Sequence, residues 1–315
     1  MPVLVTGAAG LIGSHIVRNL LDRGETVIAV DRDFGAGRLD DLRGNDRLKP
    51  VQANVTDRAA LVAAMQQNGV DRVIHTAALL LPQTETDPLL GVDININGCN
   101  NVFEAARLCG VKRVVYPSSI SIYGDQSEYG DGAIDENSWM KPWSLYSLSK
   151  VVNEFVANAY TKEFGLDCRA LRVSTVIGHG RNTGRSGEAS RIVSLAAVGE
   201  ASISSLAAEQ TSAYIYVEDV ADLMVRLCFA EGLTRNVYMC PTNRASMGEI
   251  ITTTKKLLPD AMIDIAPDAI TYVQANHFDA GILEKDLNYK LPSLEQRLRD
   301  QINKARAERQ MPPIG

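Results

Sequence analysis

The chain has no excess of basic charge. Its 315 residues carry 32 Lys and Arg against 38 Asp and Glu, a formal net charge of −6, with the two signs interleaved. Without a basic stripe to neutralise a phosphate backbone, nucleic acid is not an expected partner. Long apolar runs are missing too: no stretch reaches 18 apolar residues, so no membrane-spanning helix is expected. The opening MPVLVTGAAGLIG lacks a basic leader and is broken by glycine, which argues against a targeting signal. Cysteine is scarce. Cys99, Cys109, Cys168, Cys228 and Cys240 are odd in number, scattered, and never spaced Cys-x-x-Cys. They read as reduced, mostly buried thiols of a cytoplasmic protein, not as a metal site or a nucleophile.

What is present, 45% hydrophobic and 22% charged residues, suits a globular protein with one large or two modest cores. Short β-rich runs alternate with helical spacing: PVLVTG, TVIAVD, LKPVQANV, DRVIHTAA, KRVVYPSS and DCRALRVSTVIG as strands, each separated from the next by a helical or loop stretch. VDININGCNNVFEAARLCG reads as one long helix. LYSLSKVVNEFVANAYTKEFG reads as another, stopped by Gly165. The strand runs are almost continuously apolar, as in a parallel sheet covered on both faces. The pattern predicts an α/β fold, a doubly wound parallel Rossmann sheet over 1–177, with a smaller C-terminal substrate-binding lobe over 178–315 that is partly interleaved with it. The end, LEQRLRDQINKARAERQ then MPPIG, reads as a polar surface helix and a frayed tail.

TGAAGLIG places Gly7, Gly10 and Gly13 between a strand and a helix. In that context the turn, with Ala9, Leu11 and Ile12, lets backbone approach a pyrophosphate at a helix N-terminus. The second strand ends in Asp31, 18 positions past Gly13. An acid there accepts from ribose hydroxyls and repels a 2′-phosphate, which favours NAD over NADP; Arg32 is the dissenting neighbour. Asn54 and Val55 close the third strand near the expected adenine edge. Ala77 and Ala78 close the fourth and are small enough for the cofactor to cross. His75 reads as a buried or cofactor-adjacent residue, not a base.

TGAAGLIG, VIAVD, VIHTAA, YPSSISIYG with YSLSK, and YIYVEDVA occur in order. Together they resemble the NAD-dependent epimerase/dehydratase family of extended short-chain dehydrogenase/reductases, to at least residue 260. The resemblance implies that Tyr146 and Lys150 are the family's Tyr-x-x-x-Lys pair and that Ser119, four residues before Tyr123, is the third catalytic group, with Ser118 and Ser121 as lesser neighbours. The chemistry of the pair agrees. Positions i and i+4 share a helix face. A free phenol ionises at about pH 10, and a nearby ammonium with the positive nicotinamide ring favours the phenolate, a base for a substrate hydroxyl. Lys150 would also hold the nicotinamide ribose. Asn95, in NINGCNNV, matches the family's Asn-x-x-Gly helix and is expected to order backbone beside the cofactor. By the same resemblance, this helix and the Tyr–Lys helix pair across a homodimer as a four-helix bundle.

The chain also departs from the family. Dehydratases carry Asp-Glu directly after the catalytic Ser or Thr; Ile120 and Ser121 stand here, which disfavours dehydration. Nucleotide-sugar epimerases carry Arg-Asp before the aromatic of YIYVEDVA, the Arg gripping a diphosphate; Ser212 and Ala213 stand here. Thr175 replaces a common pocket Asn. Arg181, Arg185 and Arg191, in or after a glycine-rich loop, are the remaining candidates for holding an anion. AALL with YPSSISIYG is locally similar to short-chain L-threonine dehydrogenases. Three functions follow: an epimerase that recycles NAD on a sugar or sugar acid, a net NAD-dependent dehydrogenase of a polar secondary alcohol, and a non-catalytic dinucleotide-binding sensor or scaffold. The intact Ser119, Tyr146 and Lys150 argue against the last.

Overall fold

The first half of the chain repeats one unit, an apolar strand followed by a helix. The computed structural model describes residues 1–35, 37–181, 184 and 187–315. It assembles these units into one seven-stranded sheet. The strands are β1 (Pro2–Thr6), β2 (Thr26–Asp31), β3 (Leu48–Gln52), β4 (Arg72–His75), β5 (Arg113–Ser119) and β6 (Asp167–Val173). After β7 (Thr175–Ile177), β8 (Ser202–Leu206) and β9 (Thr211–Tyr216), the chain returns to this sheet with β10 (Val237–Met239). The order is β10-β6-β5-β4-β1-β2-β3, and every neighbouring pair is parallel. The helices of this half are α1 (Leu11–Asp22), α2 (Arg58–Gln67), α3 (Gln83–Thr86), α4 (Pro88–Val92), α5 (Cys99–Leu108) and α6 (Leu145–Phe164). Then come α7 (Glu188–Ala197), α8 (Val217–Phe229) and α9 (Met247–Leu257).

Successive strand residues face opposite sides of a sheet, and here both sides are covered. Val3, Val5, Val27 and Ala29 pack in one core with Ile16 and Leu20 of α1 and Leu223 and Leu227 of α8. Their neighbours Leu4, Ile28 and Val30 pack in another with Leu61 of α2, Phe103 of α5 and Ala157 of α6. This doubly wound Rossmann sheet is why the strands read as unbroken apolar runs. β3 is the exception: at the sheet's edge it leaves Lys49, Pro50 and Gln52 exposed, a position that tolerates proline.

The rest forms small sheets, β11-β9-β7 and β12-β8, with β11 (Asn243–Ser246) and β12 (Ile263–Ile270). A third core holds Ile177, Ile192, Val193, Met247 and Ile250 with Leu298 and Ile302. The last helices are α10 (Gly281–Leu287), whose Leu283 and Leu287 pack in the first core, and α11 (Leu294–Glu308), which packs in the third.

Three local expectations are corrected. DCRALRVSTVIG is not one strand. It breaks at Ser174, so that β7 leaves the large sheet and pairs with β9. The long helix through Asn95 contains a π-helical turn over Asp93–Gly98. The C-terminal helix is not merely a surface element: Leu298, Gln301, Ile302 and Ala305 are buried. Its tail is tied down as well, since Ile314 N donates to Asn303 Oδ1 at 2.8 Å and Arg306 Nε to Pro312 O at 2.6 Å.

Candidate active site

β1 lies between β2 and β4, and the chain winds outward from it in both directions, so a crevice opens at the carboxyl ends of β1 and β4. Gly7 sits there at φ +66°, against the exit of β4. A Cβ on it would lie 2.7 Å from the Ala77 nitrogen. A Cβ on Gly13 would lie 2.0 Å from the Gly7 carbonyl oxygen. No larger residue fits either place without moving backbone. Gly10 caps α1 with extended backbone and without a side-chain cap, and the first turn, which holds Leu11 and Ile12, has no acid. That leaves a helix N-terminus suited to a phosphate.

Asp31 at the end of β2 braces this loop. Its Oδ2 accepts from Ala9 N at 2.9 Å and its Oδ1 from Asp33 N at 3.2 Å. A carboxylate has about four lone-pair sites, so acceptance from ribose hydroxyls remains open to it. Beyond β3, Asn54 is exposed, and its Oδ1 takes the Thr56 amide at 3.1 Å. Val55 is buried against Gly98, whose Cβ would stand 2.7 Å from Val55 Cγ2. The crevice, the glycine cradle and the acid together fit a dinucleotide.

Past Ala77 and Ala78, the crevice narrows to a small cavity also lined by His75, Asn95, Lys150 and Asn153. His75 is buried, with Nδ1 2.6 Å from Thr6 Oγ1. Burial, then the nearby Lys150 charge, lowers its pKa to about 3, which makes the neutral imidazole a poor proton acceptor at pH 7. The Asn95 side chain is committed to backbone: Oδ1 accepts from Leu79 N at 2.8 Å and Nδ2 donates to Leu79 O at 3.0 Å. Asn153 Nδ2 donates to Asn95 O at 2.8 Å. The π-helical turn thus ties the β4 exit to α6.

α6 begins immediately before Tyr146, and its start is unusually well fixed. Ser144 accepts from Ser147 N, and Ser147 Oγ takes the Ser144 amide at 2.9 Å, a capping box. Glu85 Oε1 accepts from Leu145 N at 2.9 Å. Tyr146 is half-buried, and Lys150 Nζ stands 5.4 Å from its ring centroid. Lys150 is buried and donates to Pro117 O at 3.0 Å, two residues before Ser119 at the end of β5. Ser119 Oγ accepts from Ser121 N at 3.2 Å.

The weaker sequence candidates divide. Ser118 points away from the crevice into a buried cluster, donating to Glu154 Oε1 at 2.5 Å, so it is not available to substrate. Ser121 Oγ is buried without a hydrogen-bond partner among the described residues. Thr175 is buried on β7 opposite Tyr214. Burial depresses the Arg181 guanidinium, and Tyr146 acts in the opposite sense. Arg185 lies outside the described residues. Arg191 is paired with Glu188 on its own helix at 3.0 Å. The cysteines are free thiols. Burial raises Cys99, Cys168 and Cys228 to about 12, so none is a thiolate nucleophile.

Sequence reasoning missed several residues. Gln274 Nε2 donates to Oγ of the buried Ser212 at 2.5 Å. Nothing in TYVQANHF announces that contact, made across 62 positions. Glu154 was readable, as a charge two helical turns beyond Tyr146 on the same face.

A model of the NAD dependent epimerase/dehydratase family matches residues 3–239. The chain belongs to this family. It is 32% identical over 232 residues to a UDP-glucose 4-epimerase of Mycolicibacterium smegmatis, covering 72% of each chain. Among solved structures, L-threonine dehydrogenase from Clostridium difficile superposes with a TM-score of 0.86 at 27% identity, covering 100% of this chain and 99% of that one. MoeE5 in complex with UDP-glucose and NAD gives 0.82 at 26%, covering 98% and 99%. The cofactor of this family enzyme is NAD. No helix among the described residues is long and apolar enough to cross a membrane.

Proposed function

We propose that this chain catalyses reversible hydride transfer at a secondary alcohol of a sugar, sugar acid or related small polar substrate, with Tyr146 as the general base. The observation that supports this reading is that Tyr146 lies on the capped first turn of α6 with Lys150 Nζ 5.4 Å from its ring centroid, and that Lys150 lines the same small cavity as Ala77 and Ala78. NAD, when bound, takes the hydride from the carbinol carbon and can return it. Gly7, Gly10 and Gly13 would receive the pyrophosphate and Asp31 the adenosine ribose, with Ala77 and Ala78 under the cofactor's path. Tyr146 Oη accepts the proton of the substrate hydroxyl as the C–H pair leaves, while the Lys150 ammonium offsets the charge. Ser119 Oγ donates to the reacting oxygen. Residues 178–315, apart from β10, α8 and α10, which belong to the large sheet and its core, would supply the substrate side of the cleft.

A second reading is a net dehydrogenase of the L-threonine dehydrogenase type. Ser212, buried under Gln274, favours it, because a diphosphate-gripping Arg is absent from that position. The likeness to the L-threonine dehydrogenase also runs the full length of the chain. The two readings separate in one assay. Purified protein is mixed with NAD and a panel that includes L-threonine, free sugars, sugar acids and UDP-glucose. Sustained NADH formation marks a net dehydrogenase; isomerised product without net NADH marks an epimerase. Binding of NAD with neither product from any compound would support the non-catalytic alternative.

We read the active form as a homodimer. Leu148, Phe155 and Phe164 on α6 and Leu108 on α5 are exposed, and a second copy would cover them as a four-helix bundle.

A further inference from the structure

The stripe of α6 that carries Tyr146 and Lys150 continues one turn further, to Glu154. This carboxylate is buried, and both its oxygens are used. Oε1 accepts from Ser118 Oγ at 2.5 Å and from Arg172 Nε at 3.0 Å; Oε2 accepts from Arg172 Nη2 at 2.8 Å. Arg172 is 2% exposed. Its third nitrogen donates to Glu136 O at 3.1 Å and to the Tyr123 hydroxyl. That hydroxyl donates to Asp135 O at 2.9 Å, and Glu136 Oε1 accepts from Met239 N at 2.7 Å.

The cluster joins particular places. Ser118 and Arg172 are register partners on β5 and β6, and both reach the same carboxylate on α6. On β5, Pro117 O is held by Lys150 and Ser118 Oγ by Glu154. The very next residue is Ser119. Two consecutive turns of α6 therefore grip the two residues that precede Ser119, while the turn before them presents Tyr146. A buried ion pair of this kind adds little stability over a well-packed apolar pair of the same volume. Fully satisfied, it does fix geometry.

We propose that Glu154, acting through Ser118 and Arg172, is a positioning residue for the reaction: it sets the height of the β5 tip against α6 and so the placement of Ser119 and Lys150 relative to Tyr146. This rests on the assignment of Ser119, Tyr146 and Lys150 made above.

The gentlest probe is Ser118→Ala, which deletes one hydrogen bond and leaves the Glu154–Arg172 pair in place. Glu154→Gln is the stronger probe but strands the Arg172 charge, so Ser118→Ala decides the matter if that variant does not fold. The first readout needs no substrate: the 19F spectrum of the 3-fluorotyrosine-labelled holoenzyme with NAD, the Tyr146 resonance being assigned by its loss in Tyr146→Phe. The second is turnover of whichever panel compound the enzyme accepts, with the KM for NAD and the melting temperature. The expected result is a shifted or broadened Tyr146 resonance and kcat reduced about tenfold, with the KM for NAD within about twofold and the melting temperature little changed. An unmoved Tyr146 resonance, or a lowered melting temperature with full kcat, would overturn the proposal. Tyr146→Phe is assayed alongside. If it stays active, the underlying assignment fails; if it is dead while Ser118→Ala matches wild type in both readouts, only the positioning role fails.

Discussion

At the cofactor end of the crevice, the groups that matter follow one another closely in the chain. Gly7, Gly10 and Gly13 lie on one turn, and Asp31 reaches back to hold Ala9 at 2.9 Å. At the proposed substrate end they do not. Ser212 meets Gln274, Thr175 faces Tyr214, and Ser121 comes from a different strand exit altogether. The first region is dictated by a ligand whose shape leaves backbone almost no choice. The second is assembled from strands and segments far apart in the chain. A dinucleotide site can therefore be read from a short motif, and a substrate site cannot.

Tyr146 is proposed to serve both regions. Tyr146→Phe should lower turnover about a thousandfold, the scale of general-base catalysis, and leave NAD affinity intact. Stopped-flow kinetics with NAD titration by fluorescence checks both, and weakened NAD binding would move Tyr146 into the cofactor site. Gly13→Ala tests the cradle itself. Its methyl would meet the Gly7 carbonyl at 2.0 Å, with no flexible neighbour to give way, so a loss of about 3 kcal/mol in stability is expected, with NAD affinity falling alongside. Thermal melting and calorimetric titration of NAD read the two effects.

His75 offers a pH test of the same region. Its pKa in the fold is about 3, below the ordinary 6.5. Between those values the unfolded chain binds a proton that the folded chain refuses, so stability is full above pH 6.5 and falls as pH drops toward 3. At pH 4 the loss from this group is on the order of 3 kcal/mol. Denaturant melts of wild type and His75→Asn across that range should show the variant less sensitive to acid; parallel curves would mean that His75 is protonated in the fold. The smallest expected effect is at Asp31. Asp31→Asn keeps an oxygen for Ala9 N and removes the charge, so the preference for NAD over NADP should drop about tenfold, or 1.4 kcal/mol. An unchanged ratio in paired fluorescence titrations would assign the preference elsewhere.

Much of the fold was legible because strand periodicity and helix stops act locally. Continuous apolar runs gave away a sheet covered on both faces, and Gly165, at φ 70°, ends α6 as expected. The misreadings have one source, tertiary contacts that outrank local pattern. Ser174 breaks an apparently continuous strand because β7 finds its partner in β9. The Asp93–Gly98 turn is π-helical where Asn95 bonds across to Leu79. The polar C-terminal helix hides a narrow stripe, Leu298, Ile302 and Ala305, that only the lobe beneath it reveals. In the candidate site, the Tyr–Lys pair could be read from its resemblance to the family motif, with which its i, i+4 spacing agrees, whereas Ser118 looked like a pocket residue until Glu154 and Arg172 supplied its partners.

In the proposed reaction the carbinol carbon of the substrate gives a hydride to NAD while Tyr146 takes the hydroxyl proton. The most direct measurement is a quenched single turnover. NAD-loaded enzyme in excess is mixed with each compound of the panel, stopped with acid-free denaturant within the first turnover, and assayed for NADH. Enzyme-derived NADH with at least one secondary alcohol, absent in Tyr146→Phe, is the predicted result. NADH formed equally well by Tyr146→Phe, or never formed from any compound shown by calorimetry to bind the holoenzyme, would contradict it.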